Sequence, residues 1–291
     1  MTLPSSRPRF ERQVAEQRRP PPELAFLLLV FVALGCRLWS TAPPPTIAAD
    51  YDVLPNSLDA LLAIASARDA EDAPREDLLV AVEAYTKALH LVAAVSSRQV
   101  SLSELSWRLA RACFLLAEVE RNTTGKLATL AKGGDAATRS IRERPDHVEG
   151  YYWLAVLVGR QAESSGLGFS AMKLAKEVEK LGLTAARLDP AYENGGPLRL
   201  LAMLYAKAPP WPTSIGDIDK ALEYADRAVT LIDYPLNRLF RAEVLIEAED
   251  FGEARTEIKA VLTAPKVGKW AREGERWRVH ARQLLGRIAD R

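Results

Sequence analysis

From Leu58 to the C-terminus, apolar side chains recur every three or four positions and do not alternate over any useful length. That spacing gathers them on one face of an α-helix, so it predicts a succession of amphipathic helices and no sheet. The pattern places helices over 58–68, 75–95, 102–121, 134–142, 147–163, 172–188, 197–206, 218–231, 236–248, 251–262 and 274–289. The expected breaks carry ordinary punctuation: Gly133-Gly134, Pro145-Asp146, Gly166 to Gly168, Asp189-Pro190, Gly195-Gly196-Pro197 and Asp250. Glycine and proline end helices, and aspartate caps the next one.

The helices repeat. "KALEYADRAVTLI" aligns with "GEARTEIKAVL", so that Ala221 falls on Ala254 and Ala228 on Val261, a period of 33 residues. That is close to the roughly 34 of tetratricopeptide repeats. Small residues on the second helix of such a unit let the first approach closely. The first-helix pattern of that family is echoed by Tyr151, Leu154 and Ala155, and again by Leu201, Ala202 and Tyr205. The fold expected over 58–291 is therefore all-α, a tetratricopeptide-like solenoid of helical hairpins. Its last helix, "RWRVHARQLLGRIADR", serves as a polar cap.

Before this region the chain changes character. A leader with five arginines precedes "LAFLLLVFVALG", an uncharged run ending at Cys36. The run suits a signal-peptide core and is shorter than the ~20 residues needed to span a bilayer. Basic leader, apolar run and Gly-Cys resemble a bacterial lipoprotein signal, in which the cysteine is lipidated. A second reading is open: residues 1–35 form an uncleaved membrane anchor. Either one tethers the domain to a membrane, and residues 36–57, with "STAPPPTIAAD", read as an extended proline-rich linker.

Composition narrows the function. Lys+Arg 39 against Asp+Glu 38 leaves no net field to gather nucleic acid, and no aromatic platform accompanies the basic C-terminus, which reads as a solvated face. The three histidines, His90, His147 and His280, are too far apart in sequence to suggest a metal cluster, and no cofactor loop or nucleophile motif occurs. Cys113 lies on an apolar helical face and reads as a small core residue. The expectation is a protein without catalytic chemistry or cofactor.

One stretch breaks the repeat. Between Tyr205 and Ala221 the turn is enlarged to "AKAPPWPTSIGDIDK", with Trp211 framed by Pro210 and Pro212. Two roles are open to Trp211: an anchor for a partner, with Pro210, Pro212 and Tyr205 around it, or a plug folded back over Tyr205. With "GGPLRLLAMLYAKAPPWP" and "GDIDKALEYADRAV", the region from Tyr151 onward resembles the TatT family, and more distantly the repeat domain of eukaryotic regulators of microtubule dynamics. TatT proteins are periplasmic helical-repeat lipoproteins associated with tripartite transporters. The resemblance implies a periplasmic scaffold that docks the solute-binding receptor of a transporter, with homo-oligomers and a hydrophobic ligand as further implications. The alternative is a general tetratricopeptide adaptor of envelope assembly, with no transporter.

Overall fold

The computed structural model describes residues 54–95, 101–164 and 169–291. Residues 1–48 and 49–291 separate into two units, and Cys36, the apolar run and most of the linker lie outside the described residues. Among those described, eleven helices follow one another: α1 (Leu58–Arg68), α2 (Arg75–Val95), α3 (Leu102–Val119), α4 (Thr123–Glu143), α5 (Val148–Ser164), α6 (Phe169–Leu188), α7 (Tyr192–Lys207), α8 (Ile218–Leu231), α9 (Pro235–Glu247), α10 (Phe251–Thr263) and α11 (Gly268–Arg287). No helix among the described residues is long and apolar enough to cross a membrane.

Each helix packs against its neighbours in sequence. Odd-numbered helices from α3 onward also touch the next odd one, and even-numbered helices make no contact of comparable extent. Odd helices therefore line the inner side of the curve and even helices fan outward, which is the geometry of a solenoid of helical hairpins. Alanines make this stacking possible. Ala221, Ala225 and Ala228 on α8, and Ala202 on α7, are at most 2% exposed. Caps fix where several helices begin: Asp217 accepts from the amide of Lys220 at 3.1 Å, Asp250 from that of Glu253 at 3.1 Å, and Asn122 from that of Thr124 at 2.9 Å.

Three boundaries depart from the sequence pattern, each for a packing reason. The helix expected to begin at Gly134 runs from Thr123. Gly133 is a crossing point there, since a Cβ on it would lie 2.8 Å from Cys113 Cβ and 3.0 Å from Leu157 Cδ2. Glycine at this site admits close approach of α3 and α5. α7 begins at Tyr192, but Glu193, Asn194 and Gly195 have φ of 50, 54 and 87°, so regular coil starts beyond them. α11 begins six residues earlier than the pattern predicts, at Gly268, and that added length carries Lys269 and Trp270.

Candidate functional site

Two features stand apart from the repeat packing: the α7–α8 loop and the seam where α11 crosses the inner face.

The loop folds on itself. The amides of Thr213 and Ser214 donate to the Pro210 carbonyl at 3.0 and 3.2 Å, that of Gly216 to Pro209 at 2.9 Å, and that of Asp217 to Tyr205 at 3.0 Å. Gly216 is obligatory, because a Cβ there would sit 2.0 Å from the Ala208 carbonyl oxygen. The Trp211–Pro212 peptide is cis. Trp211 is left 84% exposed, and Pro210 and Pro212 are exposed on either side. The expectation that Trp211 plugs the gap over Tyr205 is corrected: its ring stands in solvent. Tyr205, named with it as a contact residue, is instead 4% exposed. It stacks on Tyr224 at 5.7 Å and donates to Glu179 Oε1 at 2.7 Å. Burial and this carboxylate push its phenol well above the usual range.

The remaining residues singled out for repeat packing divide. Ala155, Leu201, Ala202, Ala221 and Ala254 are fully buried, and Ala228 nearly so. Tyr151 and Leu154 are half-buried at the edge of the core. On α5 the deeper aromatics are Tyr152 and Trp153, one and two positions further on. Trp153 Nε1 donates to Tyr192 Oη at 3.0 Å, and Tyr152 meets Tyr192 edge-on at 5.3 Å.

The seam gathers charge. Lys269 Nζ lies 2.8 Å from Glu193, 3.5 Å from Glu71 in the α1–α2 loop and 3.7 Å from Glu273 on its own helix, while Arg276 is 3.7 Å from Glu71. Glu71 and Lys269 belong to opposite ends of the solenoid, so this clasp joins the first hairpin to the last helix. Glu193 is held in position by backbone. Arg199, 7% exposed, donates to the carbonyls of Glu193 at 2.9 Å and Asn194 at 2.6 Å and to Asn237 Oδ1 at 2.6 Å, clamping the left-handed turn. A positive φ on a non-glycine residue is uncommon and stores strain, and here the turn carries Glu193. Burial, then the charge of Glu71, pushes the Glu273 carboxyl up to about 7, against Lys269 and the more distant Arg111 of α3. Burial would lower the Lys269 ammonium, but Glu193 and then Glu71 hold it above its usual range. A cleft of about 190 Å³ beside the clasp is lined by Glu71, Asp72, Glu273, Glu275 and Arg276.

The basic C-terminus is thus not simply a solvated face: Arg278 is 4% exposed and donates to the Ala264 carbonyl at 2.8 Å. His280 meets Glu243 Oε1 at 3.0 Å, a contact that raises its imidazole. Cys113 is fully buried, and burial pushes its thiol up to about 12, so it is a core residue. Sequence reasoning missed the clasp because two of its three carboxylates, Glu71 and Glu193, come from remote segments. The one local signal was the repetition of a basic residue and tryptophan in "KWAREGERW".

A family model described as regulator of microtubule dynamics protein 1-3 matches residues 75–194, a span lying mostly N-terminal to the region expected to carry that likeness. No curated protein matches the chain by sequence. Among solved structures, the chain is similar to TTC0263, a thermophilic tetratricopeptide protein of Thermus thermophilus. The identity is 19%, 79% of this chain and 99% of that one are covered, and the TM-score is 0.54. Yeast Tom70 matches at 13% identity over 86% of this chain and 71% of that one, with a TM-score of 0.27 that carries no weight for the fold. The fold is tetratricopeptide-like.

Proposed function

We propose that the protein is a scaffold of the cell envelope, tethered to a membrane through its N-terminal segment, that docks a partner protein and performs no catalysis. The observation that carries this reading is Trp211, 84% exposed at the tip of a loop whose backbone is closed by its own hydrogen bonds. A large apolar ring held out by a pre-ordered loop loses little entropy on binding, and tryptophan is favoured at the centre of interfaces. The tetratricopeptide-like solenoid supplies the rigid mount. The partner we assign is the periplasmic solute receptor of a tripartite transporter, on the TatT resemblance of the sequence from Tyr151 onward, with Cys36 as the lipidated residue.

A photo-crosslinking amino acid at position 211, used in cells, tests the assignment. Recovery of the solute receptor supports it. Recovery of an assembly factor overturns the transporter role, and no adduct above that of a control position overturns docking through the loop. Cys36→Ser should move the protein from the membrane to the soluble fraction. Retention on the membrane would identify the apolar run as an uncleaved anchor.

A further inference from the structure

α6, one of the outward helices, shows mainly one sign of charge to solvent. Lys173, Lys176, Lys180, Leu183 and Arg187 follow one another at steps of three and four residues, so all five share one face. The four cations are exposed and, among the described residues, none makes a side-chain hydrogen bond or ion pair. Of the two glutamates on the helix, Glu179 accepts from Tyr205 at 2.7 Å, which leaves only Glu177 beside the cations. Leu183 and Leu188, 41 and 37% exposed, border the same face on its two sides.

α8, also outward, shows how a solvated face is ordinarily arranged. Lys220 lies 3.6 Å from Asp217, Arg227 3.3 Å from Glu223 and Asp226 2.6 Å from Arg241. Signs alternate there and neutralise one another. On α6 the cations Lys176 and Lys180 are four residues apart, a like-charge spacing that weakens a helix. The near-equal totals of the chain, Lys+Arg 39 and Asp+Glu 38, hide this local excess.

We infer that the outer face of α6 is a docking surface for an anionic membrane, contacted along about 21 Å of helix. The side chains favour lipid over an acidic protein. Three of the four cations are lysines, which are depleted at protein interfaces, whereas the planar fork of arginine is enriched there. An ammonium on a flexible stem suits a surface of many phosphates with no fixed register to match. The bordering leucines can enter the headgroup region while the charged tips stay among the phosphates. The inference rests on the membrane tether proposed above only for nearness to a bilayer; recognition comes from α6 itself.

The test uses the full chain reconstituted in vesicles of phosphatidylcholine, alone or mixed equally with phosphatidylglycerol, with amine acetylation read lysine by lysine by mass spectrometry. On the anionic vesicles Lys173, Lys176 and Lys180 should react roughly tenfold more slowly than on the neutral ones. Lys259, exposed on α10, should react equally on both, and high salt should abolish the difference at α6. In the Lys176→Gln, Lys180→Gln variant, changed only at exposed positions, the slowing at Lys173 should disappear. Equal rates on the two kinds of vesicle, equal slowing of Lys259, or undiminished slowing at Lys173 in the variant would each overturn the inference. Slowing in envelope extract without slowing on anionic vesicles would overturn it in favour of an acidic protein. A chain that fails to join neutral vesicles yet is protected on anionic ones would remove the tether and leave the α6 surface standing.

Discussion

Two charged clusters hold the C-terminal part of the molecule, and they behave in opposite ways. Around α9, Arg238 and Arg241 face Asp226, Asp233, Glu253 and Glu257. At the clasp, Lys269 and Arg276 face Glu71, Glu193 and Glu273. Both clusters hold more carboxylates than cations. In the first, hydrogen bonds from Arg238 hold the Asp233 carboxyl below its usual range. In the second, Glu273 is pushed up to about 7.

Solvent access and donor geometry account for the difference. Asp226, Asp233 and Glu253 are 54, 65 and 46% exposed, so water screens their mutual repulsion, and only Glu257, at 10%, is withdrawn between two guanidinium groups. Those planar forks donate along several directions at once. At the clasp the carboxylates of Glu71, Glu193 and Glu273 are 17, 22 and 11% exposed, and a single ammonium serves all three. Counting charges does not distinguish the clusters; the share of water each carboxylate keeps does.

The largest effect is expected where a withdrawn partner is removed. Glu257→Ala leaves Arg238 and Arg241 without the carboxylate they share, and breaking such a pair costs about 3 kcal/mol. Urea unfolding should show that loss for the whole domain. A loss below about 1 kcal/mol would mean that the exposed aspartates suffice and that the two clusters are alike.

Lys269→Met should cost less, about 1.5 kcal/mol for a charge-assisted contact on the domain's edge. Its distinguishing mark is locality. Amide exchange should quicken in the first half of α11 and in the α1–α2 loop, which share the clasp, and stay unaltered in α9 and α10. Uniform quickening would show that the clasp supports the whole solenoid.

The two clusters were unequally legible in the sequence. Helix periodicity gave most elements within a few residues, because each depends on residues close along the chain. Arg238 and Arg241 reach Glu253 and Glu257 on the adjoining helix, a spacing that a hairpin repeat anticipates. Glu71 and Lys269 meet only because the solenoid curves far enough to bring its ends together, and no local pattern encodes that curvature. Gly133-Gly134 misled for a related reason: the same residue that breaks an isolated helix permits close crossing of packed ones. Trp211 was recognised from its prolines, but whether it packs or projects depends on a loop closure set by backbone hydrogen bonds.

Glu273→Gln separates the clusters by pH. The folded protein holds a proton on Glu273 up to about 7, against 4.5 ordinarily. Its contribution to stability is therefore complete below about 4.5 and lost as pH rises through 7. Wild type should weaken from pH 5 to pH 8 by about 1 kcal/mol, on the scale of the ~1.36 kcal/mol that one unit of pKa carries. The variant, fixed in a neutral form, should lack that part of the slope, matching wild type near pH 5 and exceeding it at pH 8. An unchanged slope would place the ionised carboxylate comfortably in the clasp and erase the contrast with Asp233.

The smallest effect on stability belongs to Trp211. A ring left 84% in solvent buries too little surface to matter, so Trp211→Ala should leave the unfolding free energy within about 0.5 kcal/mol of wild type. Its effect should fall on association instead, where truncation of a central tryptophan costs about 2 kcal/mol or more, near a thirtyfold loss of affinity. Gly216→Ala sharpens the point from the other side: a Cβ there cannot fit beside the Ala208 carbonyl, so the loop must open while Trp211 remains. If docking depends on a ring presented in a fixed position, both variants lose the partner and only the glycine variant also loses stability. Full binding by Gly216→Ala would reduce Trp211 to an exposed apolar side chain with no dependence on the loop that carries it.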